Sequence, residues 1–272
     1  MHWNGKSARF GASLAALLLF ASHSFAQQKR QIRVAAAGDL QAAMPELARV
    51  FELQTGIHAE VQFGSSGNFF AQIQNGAPLD VFFSADSDYP RKLEAAGFAA
   101  PHSGVVYAIG SIVIWMPASA SCDLPRLGWR CLLDPGIKRI AIANPDHAPY
   151  GRAAVAALRS AGLYDQLQEK LVLGENISQA ALFVQSGNAE AGILAHALTL
   201  APALRDGKRW EIPASVYPRI EQSVIVLKSA NDAAAADEFV KFATSGPGRK
   251  ILLNSGFRLP AVMPAAAAAR QP

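Results

Sequence analysis

Short apolar runs, separated by amphipathic stretches and glycine-rich breaks, recur along most of the chain. Residues 31–37 (QIRVAAA) read as a strand, broken by Gly38 and Asp39 before a helical pattern through Leu47, Val50 and Phe51 that stops at Gly56. Residues 58–63 alternate as a strand, Gly64-Ser65-Ser66-Gly67 form a turn, and 68–74 are helical. Residues 79–85 (LDVFFSA) form an apolar run of the kind buried on both faces of a sheet, and a helix over 87–96 ends at Gly97. The apolar stretch 105–116 is longer than an ordinary strand and carries Gly110 near its middle, which suits a strand crossing between two sub-domains. Further strands are predicted at 139–143, 171–173, 191–195 and 222–227, and helices at 151–161, 164–171, 178–186, 232–244 and 247–254.

Strands alternating with helices predict an α/β protein whose sheets are mostly parallel and flanked by helices. Two such units joined by long strands predict two lobes with a ligand cleft between them. The division expected is lobe 1 over 27–107, lobe 2 over 108–216, a return to lobe 1 over 217–260, and a disordered alanine-rich tail over 261–272.

The first 26 residues follow a different pattern. Lys6 and Arg9 precede an apolar run from Phe10 to Ala21, and Ser24-Phe25-Ala26 place small residues where a signal peptidase cuts. The run is shorter than the ~20 residues of a spanning helix. A signal peptide over 1–26, cleaved after Ala26, is therefore preferred to a membrane anchor, and the mature chain is expected in the periplasm. Cleavage lowers the 25 basic residues to 23, against 21 acidic ones. Such a balance leaves no electrostatic footprint for nucleic acid. Export also bears on Cys122 and Cys131, the only cysteines: an oxidising compartment favours a disulfide over two separate thiols. Without further cysteines or paired histidines, no structural zinc site is expected.

Three strand ends lead into helix starts rich in small or hydroxyl residues: Ala37-Gly38-Asp39-Leu40, Gly64-Ser65-Ser66-Gly67-Asn68 and Asn176-Ile177-Ser178. Pro149-Tyr150-Gly151-Arg152 is a fourth. Each helix start leaves unpaired N–H groups at the positive end of the dipole, which suits an anion. Taken singly, Asp39, Ser65, Ser66 and Ser178 are ordinary N-cap residues, and only their joint placement points to a ligand. Enzyme signatures are mostly missing: the sequence has no Walker A, HExxH, GxGxxG or CxxC motif. The nearest approach is Gly64-Ser65-Ser66-Gly67-Asn68, which departs from a nucleophile elbow by its misplaced glycine and by Asn68. An exported serine hydrolase would use Ser66 with His147 or His196 as base and Asp146 or Asp206 as orienter; it is the enzyme alternative, and no catalytic residue is expected.

The order and spacing of several motifs resemble the periplasmic molybdate-binding proteins of ABC transporters, over roughly Ile32 to Leu259. They are Ala35-Ala36-Ala37-Gly38-Asp39-Leu40, Phe63-Gly64-Ser65-Ser66-Gly67, Gly76-Ala77-Pro78 with Asp80 and Phe82, Ser84-Ala85-Asp86, the run from Asn144 to Gly151, and Glu175-Asn176-Ile177. The resemblance implies a two-lobed type II periplasmic-binding-protein fold. It also implies capture of molybdate, and of tungstate, by neutral hydrogen-bond donors, for delivery by a monomer to an inner-membrane ABC permease. No cofactor, and no metal beyond the oxyanion itself, is implied. The ligand-binding residues carried over are Gly38, Asp39, Ser65, Ser66, Tyr150 and Ile177.

Two departures stand out. The family's first contact serine falls at Gly38 or Asp39, so that hydroxyl is missing, and Ala195 stands where some members have a tyrosine. The Tyr150 hydroxyl is the candidate to replace the tyrosine. A carboxylate aimed at a dianion would be strongly repulsive, so the Asp39 side chain is expected to turn back and cap the following helix. A cage lacking an acceptor would disfavour hydrogen phosphate. The serious rival is a binder of the same fold for another ligand, such as sulfate.

Overall fold

The computed structural model describes residues 1–2, 30–100 and 103–260. Nearly all of the expected leader over 1–26, and the tail over 261–272, lie outside the described residues. Two five-stranded sheets organise the rest. The first contains β1 (Gln31–Ala37), β2 (His58–Gly64), β3 (Val81–Ser84), β4 (Val105–Gly110) and β10 (Ile220–Val226), in the order β2-β1-β3-β10-β4. The second contains β5 (Ile112–Met116), β6 (Ile140–Ala143), β7 (Leu171–Gly174), β8 (Ala191–Ala195) and β9 (Lys208–Glu211), in the order β7-β6-β8-β5-β9. In each sheet four strands share one direction. The strand that enters the lobe from its neighbour, β10 or β5, runs against them.

Burial on both faces explains the continuous apolar runs. Along β1, Ile32, Val34 and Ala36 join one core with Phe83 and Val224, while Ala35 joins Phe82 and Ile225 on the opposite face. Helices α1 (Met44–Thr55) and α9 (Ala233–Thr244) cover the first face, where Phe51 and Phe239 lie 4.9 Å apart between ring centroids. Helices α2 (Ser66–Gln74) and α3 (Asp88–Ala95) cover the second through Phe69, Ile73 and Leu93. The buried Asp80 at the start of β3 accepts the Arg33 and Asn231 amides at 2.6 and 2.9 Å, tying β1 to the loop after β10. In the second lobe α4 (Leu124–Leu127), α5 (Pro149–Ser160), α6 (Tyr164–Leu167), α7 (Ile177–Gln185) and α8 (His196–Thr199) surround one core. Helix α10 (Gly246–Asn254) closes the first lobe.

The first crossing lies at Ser111, not after residue 107 as expected, because β4 keeps pairing with β10 as far as Gly110. The second occupies the stretch between β9 and β10. Strand β9 escapes sequence reading because Lys-Arg-Trp-Glu is a charged edge strand, paired only with β5. Cys122 and Cys131 form a disulfide with their Cα atoms 5.8 Å apart. It clips the loop after β5 to the 3-10 segment Gly128–Leu133, in which Gly128, Cys131 and Leu132 are buried. On loop-closure grounds Cys131→Ser should lower stability by about 2–3 kcal/mol, read as a drop in melting temperature against the oxidised parent.

Candidate functional site

Both sheets deliver strand carboxyl ends to the space between the lobes. Strand β1 runs into a 3-10 turn (Gly38–Ala42), β2 into α2, β6 through a short loop into α5, and β7 into α7. These starts surround a narrow chamber of about 10 Å³. That is smaller than the ~300–1,000 Å³ typical of sites for drug-sized ligands. Gly38, Asp39, Ser65, Ser66, Tyr150 and Ile177 all line it, and no Lys, Arg or His does.

The donors are arranged by local folding. Ser65 caps α2, its Oγ accepting the Asn68 amide at 3.2 Å. Ser66 Oγ accepts the Ala85 amide at 2.9 Å. With each oxygen engaged as acceptor, each hydroxyl proton is left to donate. The amides of Ser66, Tyr150 and Ile177, in the first turns of α2, α5 and α7, find no acceptor among the described residues. Their neighbours do: Gly67 donates to His147 O, Gly151 and Arg152 to Ala148 O, and Ser178 and Gln179 to Asn176 Oδ1. Three amides at helix N-termini and two hydroxyls therefore converge on a space suited to a small anion.

Asp39 does not cap the following helix. It lies inside the 3-10 turn, whose N-cap is Ala37, and makes no capping bond. Its Oδ2 instead accepts from Tyr150 Oη at 2.8 Å and from Gln222 Nε2 at 2.6 Å. Tyr150 thus spends its hydroxyl on Asp39 rather than holding it free to replace the missing family tyrosine. Gln222, whose Oε1 accepts from Tyr107 Oη at 2.6 Å, was not singled out from sequence. Its only signal is a polar residue in an otherwise apolar strand. Gly110 makes the network possible: a Cβ there would stand 2.3 Å from Tyr150 Oη and 2.8 Å from Gln222 Nε2. Burial pushes the Asp39 carboxyl up to about 6; Gln222, Tyr150 and, in smaller measure, the Asp39 and Leu40 amides oppose it. Burial also raises the Tyr150 and Tyr107 hydroxyls well above their ordinary range, so both remain donors. A carboxyl therefore stands in the wall of the expected cage of neutral donors.

The lobes meet around the chamber. Arg152 Nη2 donates to Asp86 Oδ2 at 2.6 Å, Asn68 Nδ2 to Glu175 Oε1 at 2.8 Å, and the Gly67 amide to His147 O at 2.9 Å. Gly38 abuts the start of α7, where a Cβ would stand 3.1 Å from Asn176 Oδ1 and Ser178 Oγ. A serine in its place would need the start of α7 to give by a few tenths of an ångström. Of the residues the hydrolase alternative would need, His147 directs its Nε2 to Glu175 O at 2.9 Å. Among the described residues no cluster of three or more His, Cys, Asp or Glu could hold a metal ion.

The bacterial extracellular solute-binding protein family matches residues 32–258. The chain belongs to this family. Within it, the chain is 36% identical over 239 residues to the molybdate-binding protein ModA of Azotobacter vinelandii, covering 86% of this chain and 92% of that one. It is 35% identical over 231 residues to ModA of Rhodobacter capsulatus, covering 82% and 89%. The solved structure of the Azotobacter vinelandii periplasmic molybdate-binding protein superposes with a TM-score of 0.79 at 37% identity, over 84% of this chain and 99% of that one. As a solute-binding protein, the chain carries its cleft between two lobes, and the chamber lies in that cleft.

Proposed function

We propose that the protein captures molybdate, with tungstate as a second ligand, in the periplasm and delivers it to an inner-membrane ABC permease. The observation that carries this reading is the convergence of the Ser66, Tyr150 and Ile177 amides with the Ser65 and Ser66 hydroxyls on one small chamber. The relatives' names supply the identity of the oxyanion. Fixed, uncharged donors hold an anion tightly when they are preorganised and water is excluded. Closure through Arg152–Asp86, Asn68–Glu175 and Gly67–His147 would trap the ligand and shape the surface offered to the permease.

Titration calorimetry of the ligand-stripped protein tests this. Molybdate and tungstate are expected to bind at about one site per chain, and sulfate not measurably. Tight sulfate binding with silence for molybdate would overturn the assignment of ligand while leaving the solute-binding fold.

A further inference from the structure

Asp39 is wholly buried in the chamber wall, yet its two oxygens are treated differently. Oδ2 takes two hydrogen bonds, from Tyr150 and Gln222. Oδ1 has none, and it is the only buried side-chain nitrogen or oxygen without a partner among the described residues. An ionised carboxylate here would face a bound dianion in a dry cleft with no countercharge in the lining, a strongly repulsive arrangement. A carboxylic acid would not: one oxygen accepts, the other carries a proton and needs an acceptor. The bonding at Asp39 matches that asymmetry.

We propose that Asp39 takes part in ligand recognition as the neutral acid, its Oδ1–H donating to an oxygen of the bound oxyanion, so that capture of a dianion takes up one proton from solution. The proposal rests on reading the cleft as an oxyanion site. The proton passes from solvent to Oδ1, and no covalent bond to the ligand forms or breaks. The donor serves a turn, Gly38–Ala42, that has no hydroxyl side chain of its own.

The ionisable groups around Asp39 include Asp86, beyond Tyr107, whose carboxyl burial also raises and which pairs with Arg152. Tyr150 on α5 and Tyr107 on β4 face it, and burial keeps both protonated. The elements packed on its turn bring Arg33, which pairs with Asp80, and Glu46, which pairs with Arg49. They also bring Glu52 with His58, and Glu60 with Gln31. His196 on α8 has its Nδ1 toward Gly256, and α7 brings no titratable group. In the free protein burial already lifts the carboxyl to about 6. A dianion beside it lifts it further, so the bound state holds the proton over a pH range where the free state has lost it. Affinity is therefore highest below the free carboxyl's value and falls as pH rises through it, by up to about tenfold per pH unit.

The experiment is calorimetry of molybdate into the ligand-stripped protein in buffers of different ionisation enthalpy, which counts protons. The expected uptake is close to one per molybdate at about pH 8, falling toward zero near pH 5, where the acid is already protonated. Asp39→Asn copies the neutral acid: its carbonyl accepts from Tyr150 and Gln222, and its amide donates where Oδ1–H did. That variant is expected to bind molybdate without proton uptake and with an affinity flat between about pH 6 and 8. Tight molybdate binding by the parent protein with no proton uptake at either pH overturns the proposal and leaves the oxyanion reading standing. Absence of molybdate binding by the parent at any pH overturns that reading and the proposal with it. The parent's proton count decides the matter even if Asp39→Asn fails to fold.

Discussion

Gly67→Ala is expected to weaken molybdate binding by about tenfold, and Gly67→Val by about 100-fold, without loss of stability in the ligand-free alanine variant. A Cβ on Gly67 would stand 2.7 Å from His147 Cβ and 2.8 Å from His147 O, both across the cleft. It would also approach Tyr89 Oη at 2.7 Å, but that is the far end of a side chain within the same lobe and can move. The backbone of His147 cannot yield without shifting the loop before α5. The same Gly67 donates its amide to His147 O, so any separation also breaks a cross-lobe hydrogen bond. The closed state therefore bears the cost of the added carbon, and the open state does not. Gly67 sits in the first turn of α2 and is not among the glycines of positive φ, so alanine suits its backbone and should stabilise the free protein slightly. Calorimetry gives the affinity, melting curves the free-state stability, and small-angle scattering with molybdate present shows whether the lobes still close. Unchanged affinity in both variants would mean that binding does not require the lobes to meet at this point.

What could be read from the sequence was whatever is written locally. Gly64-Ser65-Ser66-Gly67 marks a turn at a strand end whatever surrounds it, and Ser65 accepts the Asn68 amide by the ordinary chemistry of a helix cap. Ala35 to Ala37 and Val81 to Phe83 are apolar because both faces of the first sheet are covered, and no polar alternation was there to mislead. Asp39 was misread because its environment is not local. Its partners Tyr150 and Gln222 lie 111 and 183 residues away along the chain, one in the other lobe and one on the returning strand. From the sequence, a helix cap three residues away was the more economical destination for its carboxyl. Gln222 was passed over for a related reason: in an apolar strand one amide looks like tolerated polarity until Tyr107, Tyr150 and Asp39 are brought around it. Strand β9 was missed because an edge strand with Lys208, Arg209 and Glu211 owes its conformation to β5, not to its own pattern.

Ser66→Ala is expected to weaken molybdate binding by about 10- to 150-fold, the equivalent of the ~1.5–3 kcal/mol carried by a hydrogen bond to a charged group. The same substitution should lower the stability of the free protein by about 1–3 kcal/mol, because the buried Ala85 amide loses the oxygen it donates to at 2.9 Å. The two effects can be separated because they belong to different parts of the binding cycle. Ser66 and Ala85 sit in the same lobe, at the start of α2 and just after β3, so their contact persists whether the cleft is open or closed. Its loss is common to free and bound protein and cancels from the affinity, appearing only in the melting of the ligand-free form. The hydroxyl proton, by contrast, has a partner only when an anion fills the chamber, so its loss appears in the affinity and not in the free-state melt. A fall in melting temperature with unchanged affinity would make Ser66 a structural residue and remove it from the site. A fall in affinity larger than its stability cost can explain places its hydroxyl on the ligand.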